Sequence, residues 1–197
     1  MAESDQTEDF EECSPVEQLA EHYDLLVIDH PHVGTIVAQN CLLPMDDVVP
    51  DTTLLRLASE SVGRSFESYR YHDKQWALPL DAAAQVQAFR PDRLSGAVTK
   101  WAEVACLARD GKVIWPLRSP HILMSFFTLM GNIGSPCSVV PGSFARPEAA
   151  LKVLDAMQTV YDAVDPTCRA MDPIAALDAL ADSKTHVLSP LTYLYKG

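Results

Sequence analysis

The sequence predicts an α/β protein built as two lobes, on three observations. Short apolar runs such as Leu25-Leu26-Val27-Ile28 alternate with amphipathic stretches of helical period, the order expected of an α/β fold. A central extended stretch has period two: Gln85, Gln87 and Phe89 fall on one face, Val86 and Ala88 on the other. The residues on either side of it each read as an α/β unit, so 14–80 are assigned to a first lobe, 81–94 to a crossover or hinge, and 95–197 to a second lobe. Ligand sites favour clefts between lobes and the ends of sheet strands.

Composition sets the bounds. With 197 residues, 48% of them apolar, the chain can bury one sizeable core or two small ones. Its net charge of -12, with no basic run, gives phosphate-backbone binding little electrostatic support, so no nucleic-acid partner is expected. No apolar stretch approaches the roughly 20 residues that span a bilayer, so the chain itself is not expected to be membrane-spanning. Residues 1–13 are acidic, with Phe10 their only large apolar side chain. They read as a disordered tail without the basic start and apolar middle of an export signal, which places the chain in the cytoplasm if expressed as written. The five cysteines show no C-x-x-C spacing and read as buried or free thiols, or as a Cys137–Cys168 bridge between loops flanking one helix.

The elements follow in order. Ser14 and Glu17 form a capping box, with Pro15 in the first turn of a short helix. Residues 25–28 read as a strand covered on both faces, broken by Asp29-His30-Pro31-His32-Val33-Gly34 before a helix over 35–40. A turn over 42–47 leads to a helix over 52–60, and residues 64–71, with Phe66, Tyr69 and Tyr71, form a cleft-lining loop or edge strand. His72 and Asp73 make a turn. Thr99 caps a helix through Arg109, Asp110-Gly111 turns the chain, and 112–115 form a strand stopped by Pro116. A helix over 122–130 is apolar nearly all round and ends at Gly131, with Asn132 and Gly134 in the turn. Pro147 opens an amphipathic helix whose Ala150, Val153, Leu154, Met157, Tyr161 and Val164 share a face. Asp172-Pro173 caps another, with Ile174, Leu177 and Leu180 inward, and His186-Val187-Leu188 is the final strand.

A strand and loop at residues 23–34 precede four further landmarks: Cys41-Leu42-Leu43-Pro44-Met45-Asp46-Asp47, Asp73-Lys74-Gln75-Trp76-Ala77-Leu78-Pro79, Phe89-Arg90-Pro91-Asp92-Arg93-Leu94 and Thr99-Lys100-Trp101-Ala102-Glu103-Val104. In order and spacing they resemble the extracellular solute-binding proteins of ABC importers, the family-1, sugar-type group. The resemblance covers residues 23–195 and implies a periplasmic-binding-protein-like fold, a small polar solute gripped in an interlobe cleft, no catalysis, delivery to an ABC permease, and a periplasmic or other extracytoplasmic location. Members of that group begin earlier and continue further, so this chain resembles their middle part and is expected to lack both end portions.

The candidate ligand-binding residues are Asp29, His30, His32, Asp81, Trp115, Asn132 and Tyr193. Asp29, His30 and His32 form the densest polar group, where a strand meets its loop. They can hydrogen-bond a ligand, cap the loop, or hold a metal in a hydrolase or lyase, since His-x-His beside an aspartate offers suitable donors. Asp81 can accept paired hydrogen bonds from a polyol, or simply form a turn after proline. Trp115, with Tyr69, Tyr193 or Tyr195, can offer a flat apolar surface to a sugar ring, or belong to the core. Asn132 can turn its amide to the cleft or serve as a left-handed turn residue. The sequence has no Gly-x-Ser-x-Gly, no glycine-rich phosphate loop and no carboxylate pair at recognisable spacing. No catalytic residue and no cofactor is expected. A noncatalytic interaction or regulatory protein is the third reading.

Overall fold

The computed structural model describes residues 16–140 and 142–193. The acidic tail, Ser14, Pro15 and Tyr195 lie outside the described residues. The chain divides into two compact units, one ending at Ala82 and the other beginning at Ala83. Helix and sheet are mixed along the chain, and the named strands form two antiparallel two-stranded sheets.

The first unit contains α1 (Val16–Ala20), a 3-10 turn at His30–His32, α2 (Val33–Gln39), a 3-10 turn at Met45–Asp47, α3 (Asp51–Glu60), α4 (Ser65–Ser68) and the hairpin strands β1 (Arg70–Tyr71) and β2 (Lys74–Gln75). α2 starts two residues before the expected Thr35 and stops where Asn40 turns left-handed at φ 51°. In the hairpin, Arg70 faces Gln75 and Tyr71 faces Lys74. His72 and Asp73, at φ 48° and 61°, make the turn, whose left-handed residues match the twist of the flanking strands. The Met45–Asp47 turn anchors β2 from outside. Asp46 accepts the Gln75 backbone N–H at 2.6 Å, and Lys74 Nζ reaches Asp47 at 3.0 Å. Gln75 is itself buried, and its Nε2 donates to the carbonyls of Phe66 and Ala77. The hairpin thereby delivers Trp76 to a core of Val16, Val33 and Ile36, on which Leu26, Ile28 and Tyr69 also pack.

Residues 25–28 are not the doubly covered strand their apolarity predicts. They form a ribbon with no ladder: Leu26 and Ile28 pack on the core while Leu25 and Val27 are 88% and 75% exposed. A continuous apolar run signals two covered faces only where a sheet exists to receive it, and the named sheet of this unit is the β1–β2 hairpin.

The second unit contains β3 (Gln85–Phe89), α5 (Trp101–Arg109), α6 (His121–Asn132), α7 (Pro147–Tyr161), a 3-10 turn at Pro166–Ala170, α8 (Pro173–Asp182) and β4 (Leu188–Tyr193). The alternation read over β3 is realised as a strand, antiparallel to β4 with Gln85 opposite Tyr193 and Phe89 opposite Leu188. Register shifts between Val86 and Ala88. There Pro190 and Leu191 stand against Gln87 alone, a bulge that accommodates a proline with no N–H to give the ladder. The expected strand over 112–115 is reduced to one parallel bridge, Val113 to Leu188, flanked by Ile114 N–H donating to the Leu188 carbonyl at 2.9 Å. The unit's core gathers Val113, Trp115, Phe126, Met130, Val153, Val160 and Leu188.

Several local expectations are corrected. Lys100, not Thr99, stands at the N-cap of α5, and no side chain caps that helix. Gly131 and Asn132 belong to the last turn of α6, and the left-handed residue is Gly134 at φ 71°. On α7 the buried residues are Val153, Met157 and Val160, with Leu154 outside. On α8 Ala176 and Leu180 point inward and Ile174 is exposed. The Asp172 cap holds, its carboxylate accepting the Ala175 N–H at 2.8 Å. Cys137 and Cys168 are both free thiols, so no bridge joins them.

Candidate functional site

In the first unit three of the polar residues singled out from sequence, Asp29, His30 and Asp81, act on Tyr69. The tyrosine lies on the turn after α4, where Trp76 N–H donates to its carbonyl and the ring packs against the core. Its hydroxyl donates to the Ile28 carbonyl at 3.3 Å, which ties the start of the Asp29 loop to the hairpin. The His30 ring meets the Tyr69 ring edge-on, with centroids 6.0 Å apart. Burial pushes the Tyr69 phenol above the usual tyrosine range, and the negative charges of Asp29 and Asp81 push it further the same way. The Asp29-His30 pair and Asp81, far apart in sequence, thus both bear on one aromatic side chain, His30 by ring contact and the two aspartates by their charge.

Asp29 keeps its carboxylate open. It precedes the His30–His32 turn and receives the His32 N–H on its backbone carbonyl, but its side chain makes no cap bond. Asp29, His30 and Asp81 are exposed, which leaves their polar atoms accessible. His32 is half-buried and is joined to this group through its backbone N–H on the Asp29 carbonyl. Among the described residues, no three His, Cys, Asp or Glu side chains are grouped to hold a metal ion. Asp29, His30 and His32 therefore do not form the donor set their sequence spacing suggests, because the 3-10 turn replaces the extended segment on which alternate side chains would align.

The second unit treats its candidates differently. Trp115 is a core residue: it is fully buried, donates Nε1 to Ser125 Oγ at 3.3 Å, and meets Trp101 edge-on at 5.5 Å. It presents no face to a solute. Tyr193 ends β4 half-buried, its ring 6.3 Å from that of the buried His121. Asn132 is exposed at the end of α6 and lines a cavity of about 510 Å3, together with Gln85, Gln87, Thr128, Lys100 and Lys152.

A smaller cavity, about 370 Å3, lies beside Asp165, Cys168, Ser183 and His186. Its polar groups serve the backbone. Asp165 accepts the Thr167 N–H at 2.8 Å and its hydroxyl at 2.6 Å, and these bonds hold its carboxyl below the usual range. Ser183 Oγ accepts the N–H groups of Thr185 and His186 and lies 2.9 Å from His186 Nδ1, so the hydroxyl is a turn-former. Burial raises the Cys168 thiol above its ordinary value.

Two features were missed in sequence. Tyr69 was read as lining a cleft but was not placed among the candidate ligand residues, although it is the hub of the first-unit group. Lys100 and Lys152 carried no signal, since the sequence separates them by half a unit and only the packing of α5 beside α7 brings them to one cavity. No protein-family model, no curated protein and no solved structure matches this chain.

Proposed function

We propose that the chain is the solute-binding component of an ABC importer, or a portion of one, that holds a small polar solute, a carbohydrate, without altering it. The observation that carries this reading is the convergence of Asp29, His30 and Asp81 on Tyr69. Carboxylates accept paired hydrogen bonds from neighbouring hydroxyls, and an aromatic ring offers its face to the apolar side of a sugar. The ordered landmarks from Tyr23 onward support the same reading. The two-lobed periplasmic-binding-protein fold, the permease partner and an extracytoplasmic location belong to this proposal. No helix among the described residues is long and apolar enough to cross a membrane, which accords with a binding component that relies on a separate permease.

The test is the melting temperature of the purified chain against a panel of sugars and polyols. A ligand that binds the native state alone raises stability by about 2.7 kcal/mol at a hundredfold excess over Kd. One sugar should shift the transition, be recovered unchanged, and lose its effect in Asp81→Asn. A folded sample whose transition ignores every sugar would overturn the reading.

A second reading, a noncatalytic interaction protein, is favoured by the exposed apolar side chains Leu25, Val27, Leu55 and Val62 of the first unit. Light scattering that shows concentration-dependent association together with an absent sugar response would select it.

A further inference from the structure

We infer that the larger cavity of the second unit is a binding site for a small carboxylate with an apolar body, an aromatic or short-chain aliphatic acid. Its volume, about 510 Å3, suits such a ligand, since small-molecule pockets span about 300–1,000 Å3. The polar part of its wall is built in advance. Gln87 is locked to Val98, Nε2 donating to the carbonyl at 2.9 Å and Oε1 accepting the N–H at 2.7 Å. Gln85 accepts from Thr128 Oγ1 at 2.6 Å and donates to Ser125 Oγ at 3.2 Å. These amides hold the shape of the wall, Gln87 through the Val98 backbone and Gln85 through the Thr128 and Ser125 hydroxyls. Trp101 donates Nε1 to the Ala156 carbonyl at 2.8 Å, which fixes the indole beside Leu129, Val153 and Leu191 in the lining. An apolar ligand body is favoured there by the surface it removes from water.

Charge selects the ligand's other end. Lys100 and Lys152 both line the cavity and no aspartate or glutamate does, in a chain whose 27 acidic residues outnumber its 15 lysines and arginines. Neither lysine belongs to an ion pair among the described residues. Two lysines in the lining of a largely apolar cavity free of carboxylates give it a positive bias that attracts an anion, to which an ammonium can donate a charge-assisted hydrogen bond. The cavity lies wholly within the second unit. The inference therefore does not rest on the importer reading, whose carrying group is the Asp29, His30 and Asp81 cluster of the first unit.

The experiment titrates the full chain with benzoate and hexanoate, with benzamide as the neutral control at matched ionic strength, by calorimetry and by tryptophan emission. At least one acid should bind saturably, and benzamide should bind at least about tenfold more weakly, the loss of one charge-assisted hydrogen bond. Lys100→Gln and Lys152→Gln should each weaken the acid by about tenfold with benzamide unaffected. Both side chains are exposed, so these variants should keep the native circular dichroism spectrum. In Trp101→Phe the acid-induced emission change should vanish although Trp76 and Trp115 remain. Absence of saturable binding of both acids, equal binding of benzamide, or undiminished binding in the doubly substituted Lys100→Gln/Lys152→Gln protein would each overturn the assignment.

Discussion

Tyr69 joins the apolar core of the first unit to the charged groups around it, and its chemistry is readable by titration. Its phenol is raised by burial and by Asp29 and Asp81, so the folded chain disfavours the phenolate. The resulting stability is fully present below the ordinary tyrosine value and is lost as pH climbs through the raised one. Tyr69→Phe should flatten the alkaline limb of a stability-against-pH curve, and at neutral pH should cost about 0.5–1.5 kcal/mol through the lost bond to the Ile28 carbonyl. Trp115 behaves otherwise. Trp115→Ala should cost about 3–5 kcal/mol in denaturant titrations, the penalty for emptying a filled core site. Thiol labelling should modify exposed Cys106 in the native chain and spare Cys168, which is 1% exposed and whose thiol is raised by burial, until denaturant is added.

At the scale of elements, the β1–β2 turn is the place where local chemistry can be improved. His72 and Asp73 occupy left-handed conformations that asparagine and glycine adopt at less cost. His72→Asn/Asp73→Gly should raise the first unit's stability by about 0.5–1 kcal/mol, read as a higher melting temperature. The Asp165 turn gives the acid-side counterpart. The Thr167 hydroxyl and N–H depress its carboxyl, so its contribution stands above the ordinary aspartate value and is lost as pH falls through the depressed one. Asp165→Asn should reduce the acid sensitivity of the second unit's melting transition.

At the scale of the whole molecule, two units with separate cores should not report as one cooperative transition. The first unit's buried cluster is Val16, Val33, Ile36 and Trp76, whereas the second unit's runs through three helices and β4. Calorimetry should resolve an earlier transition from the first unit, and limited proteolysis should cut first near the exposed coil at residues 80–84.

What the sequence determined by itself lies mostly in local signals. Period-two alternation marked β3, the helical period marked α7, an apolar run ending at Gly131 marked α6, Asp172 before Pro173 marked a cap, and His72-Asp73 marked a turn, because each depends on neighbours within a few residues. Tertiary structure decided the rest. It chose which apolar runs were covered, leaving Leu25 and Val27 outside and sealing Trp115 inside, since burial depends on partners distant in sequence. It also gathered Asp29, His30 and Asp81 on Tyr69, and Lys100 with Lys152 beside one cavity. Their sequence separations carry no period, so chain folding alone could place such groups together.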